Sequence, residues 1–539
     1  MANEQLSIDE LSERAYAALD RGDLEASKEI LDQASEAYKK IEKPNAFEIS
    51  ALACILIDIG TAVSSESAIE KGQNLFEQNY EMISGEIEAA SIEYNLGNAK
   101  KSLYALQAST AEFKFRPESI ALLTESKNHY WRSLKLSGDR WRDPTQHVNL
   151  ANSLNSCARV VEALRWYNSA LQIRPGFGMA ELNRGLALMF LNTISGNYSI
   201  SLLDTASQCF SRAALDKTLP EPLAEQASNH RRSLETHLLA LGWDDERIAS
   251  YEAEHKKQFD EHDSYWNFCL DHYLALSEHA LYCRCAGARR DDLSVMSSAA
   301  PIGGDFVPRL ELLLNRLKSE FCLARALYYQ VVAQDGEKWS LTQYEGTFSE
   351  FYESEAIGMR AEFLRTSFRL CFGILDRIAQ GLNELYRFTS GTEVLYFESF
   401  WKPRKRGKAA SDGRWETLNL QENMGLVALY SLATDLNRRG GEWGHFKEMR
   451  NELEHGVLVL LEDGASRLPP LLEPTRIRVS QQPFPQFEGK TLHMLQFVAS
   501  AIFNFAFVVR AEGRRKLERS NQKKPRLRIE TLKKHVGKT

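Results

Sequence analysis

Proline is scarce in this chain, 15 residues in 539. Proline removes a backbone N–H and clashes with the preceding turn, so long stretches without it leave helices uninterrupted. Five of the prolines fall between Leu468 and Pro485 and mark one long loop. A disulfide framework is also missing: eight cysteines are scattered without paired spacing, which fits a reducing, cytoplasmic setting. The opening stretch MANEQLSIDELSERAYAALD has neither a basic n-region nor an apolar h-region, so no secretory signal is expected. The longest apolar stretch, Leu495 to Val509, is interrupted by Gln496, Ser500 and Asn504. It is shorter than the roughly 20 residues a membrane span needs, and the expectation is a buried helix and no membrane partner. No Walker A loop, G-x-S-x-G elbow or H-E-x-x-H pair occurs, which leaves a nucleotide-directed transferase or hydrolase without support.

What is present is ordinary material for packed domains, 43% hydrophobic and 26% charged, enough for roughly two to four of them at this length. The net charge of −7 is uneven. From Arg510 to Thr539, twelve Lys/Arg stand against three Asp/Glu, a surplus of nine that leaves the rest of the chain at −16. A basic tail on an acidic body can hold nucleic acid or an acidic partner. A solvated chain end is the plainer reading.

The first half carries a repeat signal. Leu150, Ala151, Leu154, Ala163, Tyr167, Ala170 and Pro175 are spaced as in a tetratricopeptide repeat, a unit of two antiparallel helices. The small residues let the helices approach, the large ones fill the groove, and Pro175 stops the second helix. Weaker copies place Leu96-Gly97 before Ser126, Tyr130 and Ser133, and Gly185 and Leu188 before Ala206, Phe210 and Ala213. About five repeats are expected over residues 8–235. Each unit needs its neighbours to bury its apolar face, so the fold expected is a solenoid whose concave side takes a protein or peptide.

Residues 236–305 read as a helical connector. Within it Cys269, His272, His279 and Cys283 fall at offsets of 3, 7 and 4, and Cys285 follows. These are zinc-ligand types. The offsets place them on one face of a single helix with Leu276, where they would not converge on one ion. Buried cysteines and core histidines are therefore expected, and no metal. Ser294–Pro308 is a Ser/Ala/Gly/Pro loop leading into the last domain.

Four long helices follow in residues 306–512: about Arg309–Gln334, Glu355–Arg387, Asn423–Arg438 with its continuation Glu442–Leu460 after Gly440-Gly441, and Lys490–Lys516. The second has Leu364, Phe368, Cys371, Leu375, Ile378, Leu382 and Leu385 on one stripe, as a helix bundle requires. Inside Glu442–Leu460 lies RNELEHG, in which Arg450, Asn451 and His455 form R-N-x-x-x-H. With the blocks at 361–386, FESFW (397–401), 423–436 and, upstream, YWNFCLDHYLAL (265–276), this stretch resembles the HEPN superfamily (higher eukaryote and prokaryote nucleotide-binding). The resemblance covers roughly residues 265–510. It implies a helical bundle that often follows tetratricopeptide-like repeats, a metal-independent endoribonuclease with no cofactor, a homodimer with facing motifs, and a setting in bacterial defence or stress. Non-catalytic members that bind protein or nucleotide form the alternative. The fold expected overall is all-α, a solenoid followed by a bundle, with a basic tail at 513–539.

The chemistry has its own logic. RNA is cut without metal when its 2′-OH attacks the adjacent phosphorus. Histidine can move the proton near neutral pH, and an arginine fork can hold the charge that builds on the phosphoryl oxygens. The resemblance implies these roles for His455 and Arg450, with Asn451 positioning His455 from i−4. The five-residue spacing sets Arg450 and His455 about 140° apart on an ideal helix. The plainer alternatives are an Arg450–Glu454 surface pair and a helix-end histidine at the C-terminal dipole. A second match, Arg439 to His445, is interrupted by three glycines and is set aside. The basic loop KPRKRGK, with Lys402, Arg404, Lys405, Arg406 and Lys408, is a candidate track for an RNA backbone. Arg369, Asp376 and Arg377 are polar positions on the second helix whose roles the sequence leaves open.

Overall fold

The structure is a computed structural model, and it describes residues 7–40, 44–110, 116–138, 143–256, 263–296, 307–333, 355–388, 395–401, 423–462 and 478–523. The basic loop at 402–408 and residues 524–539 of the basic tail lie outside the described residues. Helices dominate, as expected of an all-α chain. In the first half they run α1 Ile8–Arg21, α2 Leu24–Lys40, α3 Ala46–Ala62, α4 Glu66–Gln78, α5 Tyr80–Ile83, α6 Ala89–Thr110, α7 Pro117–Ser137, α8 Pro144–Ser156, α9 Val160–Ile173, α10 Gly178–Ser195, α11 Ile200–Leu215 and α12 Glu221–Ala240. Sequential helices pack as pairs: α3 on α4, α6 on α7, α8 on α9 and α10 on α11.

Small residues set the spacing of these pairs. A Cβ on Gly97 of α6 would sit 2.7 Å from the Tyr130 ring of α7, and one on Gly185 of α10 would sit 2.7 Å from the Phe210 ring of α11. In both pairs an aromatic of the second helix occupies the space a first-helix side chain would fill. Ala151, Ala163 and Ala170 are fully buried in the same way.

The connector holds α13 Asp245–Lys256 and α14 Ser264–Asp271. Here one expectation fails. The helix does not run on through His279 and Cys283. It ends at His272, Tyr273 takes a left-handed φ of 58°, and the Leu274 N–H donates back to the Cys269 carbonyl at 2.8 Å, the bond pattern of a Schellman stop. Two short 3-10 turns follow, Glu278–Leu281 and Ala286–Arg290.

The last region comprises α15 Val307–Ala333, α16 Met359–Tyr386, α17 Phe397–Phe400, α18 Met424–Asp435, α19 His445–His455, β1 Val457–Leu461, β2 Val479–Pro483 and α20 Phe484–Lys523. The helix expected to reach Leu460 instead stops at His455. Gly456 keeps its N–H on the Glu452 carbonyl, and the Val457 N–H starts a ladder to Arg478. β1 and β2 then pair in parallel, Val457 beside Val479 through Leu461 beside Pro483. The run V-L-V-L-L is apolar and β-prone, and burial of Leu458–Leu461 under α20 favours the strand.

α20 is the axis of this region and packs on α15, α16 and α18. From Met494 to Val509 nearly every side chain is buried, polar ones included, as befits a helix apolar on all sides. By length and composition Phe484–Lys516 would suffice to cross a membrane, yet most of that window is covered by protein. The residues that interrupt its apolar run have partners: Ser500 donates to Glu162 at 2.9 Å, Asn504 to the Ser500 carbonyl at 2.8 Å, and Gln496 to the His272 carbonyl at 3.0 Å. One apolar core draws its residues from Leu11 to Leu103, and a second, larger one draws its residues from between Tyr104 and Val509. The helices from α7 onward thus share a core with the C-terminal region.

A buried charge network fastens the two. Lys127 of α7 donates to Ser431 at 2.8 Å and to Asp435 at 2.7 Å on α18. Arg159, just before α9, grips Glu162 with two bonds of 2.7 Å and also donates to Asp435. Lys127, Arg159 and Asp435 are fully buried. Two cations meet two carboxylates with good geometry, the condition under which buried charge is tolerated. The next residue on α7, Asn128, clamps the turn before α19, donating to the Gly440 carbonyl at 2.7 Å and accepting from the Glu442 N–H at 3.2 Å.

Candidate active site

α19 carries the R-N-x-x-x-H residues, and the segment from Asp435 to Gly444 aims it. The Trp443 N–H returns to the Asp435 carbonyl at 3.0 Å. Phe446 and Met449 bury the inner face of α19, with Phe446 edge-on to Phe368 of α16 at 5.7 Å between centroids. Lys447, Arg450, Asn451, Glu454 and His455 are left facing a cavity of about 490 Å³. Phe372, Leu375 and Asp376 of α16 form another wall, and Tyr396, Phe397, Glu398 and Ser399 a third.

Arg450 is half-buried. Its guanidinium lies 3.3 Å from Asp376 and over the rings of Phe372 at 5.3 Å and Tyr396 at 5.9 Å. The surface pair with Glu454 is not the one it makes. Asp376 also accepts the Phe397 N–H at 2.9 Å. Burial raises the Asp376 carboxyl above its ordinary value, while the Phe397 N–H, Arg450 and Lys447 pull it down. Lys447 is paired with Glu398 at 2.6 Å. His455 is the last residue of α19, so the end of the helix opens its ring to the cavity despite the angular separation from Arg450. Asn451 and His455 are exposed, and among the described residues no hydrogen bond holds either side chain. The Asn451–His455 bond expected from their i, i+4 spacing is therefore not made.

Residues 303–512 match the family model of LA2681-like HEPN. No curated protein and no solved structure matches the chain. The HEPN-like domain thus contains α15 to α20 up to Glu512, the whole cavity and the R-N-x-x-x-H motif. Of the polar positions on α16, the structure places Asp376 in the cavity and takes Arg377 away to Glu320 of α15. Arg369 lies 3.8 Å from Glu362 on its own helix. His445, the end of the discarded second match, turns its Nδ1 to the Glu442 carbonyl at 3.1 Å and does not line the cavity. Sequence reasoning missed Lys447, Tyr396 and Glu398. Lys447 stands three residues before Arg450, a spacing that shares a helix face. Glu398 sits inside the FESFW block.

Proposed function

We propose that the HEPN-like domain is a metal-independent endoribonuclease, targeted or restrained by a tetratricopeptide-like array. The observation that carries this reading is the convergence of Arg450, Asn451 and His455 on one open cavity, with Arg450 braced from below by Asp376. An RNA phosphodiester would lie across the mouth with a phosphoryl oxygen toward Arg450. The 2′-oxygen attacks phosphorus, the 2′ proton passes to a base, the P–O5′ bond breaks, and the 5′-oxygen takes up a proton. His455 serves one of the two proton transfers. A facing second protomer, which the HEPN likeness implies, would supply the other. The products are a 2′,3′-cyclic phosphate and a 5′-OH. Asp376 is a positioning residue: it orients Arg450 through their contact at 3.3 Å. The Asn128 clamp on the turn before α19 gives the array a physical route to the motif helix. A setting in defence or stress belongs to the same proposal.

A second reading is a non-catalytic scaffold that binds protein or nucleotide. It is favoured by the charge of the cavity wall, where Asp376, Glu398 and Glu454 outnumber the fixed cations Lys447 and Arg450, a poor balance for drawing in RNA. Cleavage of a mixed RNA pool in EDTA by the full chain, beside His455→Ala and Arg450→Ala, separates the two. Cutting abolished by both substitutions supports the nuclease. Intact RNA under every condition, with tight nucleotide binding, supports the scaffold.

A further inference from the structure

The break of the connector helix at His272 has a chemical consequence outside the nuclease cavity. It frees His279, Cys283 and Cys285 from a single helix face and folds them back toward His255 on α13. One ligand atom from each of these four residues lies within 4.8 Å of the other three. The Nε2 atoms of His255 and His279 are 3.4 Å apart, and the His255 Nε2 is 3.5 Å from the Cys283 Sγ. Zinc bonds of about 2.0–2.1 Å to nitrogen and about 2.3 Å to sulfur give a tetrahedron with N···N edges of about 3.4 Å and N···S edges of about 3.6 Å. The His255–His279 and His255–Cys283 spacings match two edges of that tetrahedron, and the remaining pairs lie within 4.8 Å.

The surroundings fit as well. The other ring nitrogen of His279, Nδ1, sits 3.0 Å from the Tyr282 hydroxyl, which in turn meets Ser199 at 3.0 Å. Ligating histidines are ordinarily held through their second nitrogen in this way. The Cys285 N–H donates to the Cys283 Sγ at 3.4 Å, a bond of the kind that orients a metal-bound sulfur. Cys285 is buried and the other three are half-buried. Two neutral imidazoles and two thiolates would together neutralise a divalent ion held among them. Cys269 and His272, the other candidates in the sequence, take no part.

We infer that His255 and His279 through Nε2, with Cys283 and Cys285 through Sγ, form a structural zinc site. It pins α13 to the two 3-10 turns. Those turns buttress α20, because Glu278 accepts from the nearly buried Arg510 at 2.5 Å. With four protein ligands the site is closed and structural rather than catalytic, and none of the four lines the nuclease cavity.

The test is the metal content of the full-length protein isolated from zinc-supplemented cells, measured by plasma mass spectrometry. One zinc per chain is expected, released when a mercurial titrates the thiols. The Cys283→Ser, Cys285→Ser double variant and His255→Ala should lose it. Cobalt exchanged into the wild-type chain should show the intense visible bands of tetrahedral coordination and a thiolate-to-cobalt charge-transfer band, a readout that holds even where a variant fails to fold. Wild type that carries no zinc and gives no tetrahedral cobalt spectrum overturns the site. So does full zinc occupancy in the double variant. Because the nuclease assay runs in EDTA, zinc is measured in the same sample before and after. Loss of cutting together with zinc loss and a fallen Tm then reports the staple and not the reaction.

Discussion

Two polar clusters, one centred on Asp435 and the other on Arg450, have opposite designs. Around Asp435, cations and carboxylates are sealed from water and balanced in charge, with Lys127 paired to Asp435 and Arg159 to both Glu162 and Asp435. Around Arg450, the same residue types line an open cavity. The one contact between Arg450 and Asp376 is loose at 3.3 Å, and His455 is exposed. A buried, saturated network has no capacity left for a ligand and serves to fix geometry. A half-buried arginine with one carboxylate partner, beside an exposed histidine, keeps bonding capacity for something that arrives. The contrast separates structure from chemistry where residue type alone does not.

The largest expected effect falls on the open cluster. His455→Ala should lower RNA cleavage by about 10²–10⁴-fold, the range for a lost general acid or base, while the thermal unfolding curve stays in place because the side chain is exposed. Arg450→Ala should lose about 10²–10³-fold. The reverse pattern is expected in the sealed cluster. Asp435→Ala leaves the buried Lys127 without its carboxylate and Arg159 with Glu162 alone, and should cost about 3–5 kcal/mol in urea unfolding. Equal stability losses from His455→Ala and Asp435→Ala would erase the distinction.

A smaller effect sharpens it. Asp376→Asn keeps the shape beneath Arg450 but removes the charge, and should lower kcat about tenfold, the loss of one charge-assisted bond, with KM little changed. A role in folding alone would leave kcat per folded molecule untouched. The smallest effect is a slope. Burial opposes ionisation of Glu162, but Arg159, Arg165 and Ser500 outweigh it and hold the carboxyl below its ordinary 4.5. A depressed carboxylate contributes stability that is present above the unfolded value and lost as pH falls through the folded one. Tm should therefore drop as the solution is acidified below 4.5, and Glu162→Gln should flatten that limb of the curve.

The helical class and the HEPN likeness were legible because both rest on local patterns. The α16 stripe from Leu364 to Leu382 is buried as its periodicity requires, and Gly97 and Gly185 meet the aromatics that repeat spacing pairs with them. The Lys127–Asp435 pair was not legible, since its members lie 308 residues apart and neither carries a local signature. β1 was missed because a short apolar run fits a buried helix or a strand equally well by periodicity. The Cys/His spacing was misread for a related reason. Offsets of 3, 7 and 4 imitate a helix face, and the left-handed Tyr273 that breaks it belongs to a residue type without turn preference. His255, 24 residues before His279, enters the cluster only through the fold. In the candidate site, Arg450 and His455 could be named from the motif alone, whereas the brace on Arg450 became visible only when α16 and α19 were in contact.

The most direct test of the central claim uses an RNA in which the nucleotide 5′ to a mapped cleavage point carries a 2′-deoxy sugar. The wild-type chain in EDTA should cut the all-ribose strand to a 2′,3′-cyclic phosphate and a 5′-OH, and leave the substituted strand intact at that point. Cleavage of the 2′-deoxy strand, or products ending in a 5′-phosphate, would contradict attack by the 2′-oxygen and with it the roles given to Arg450 and His455.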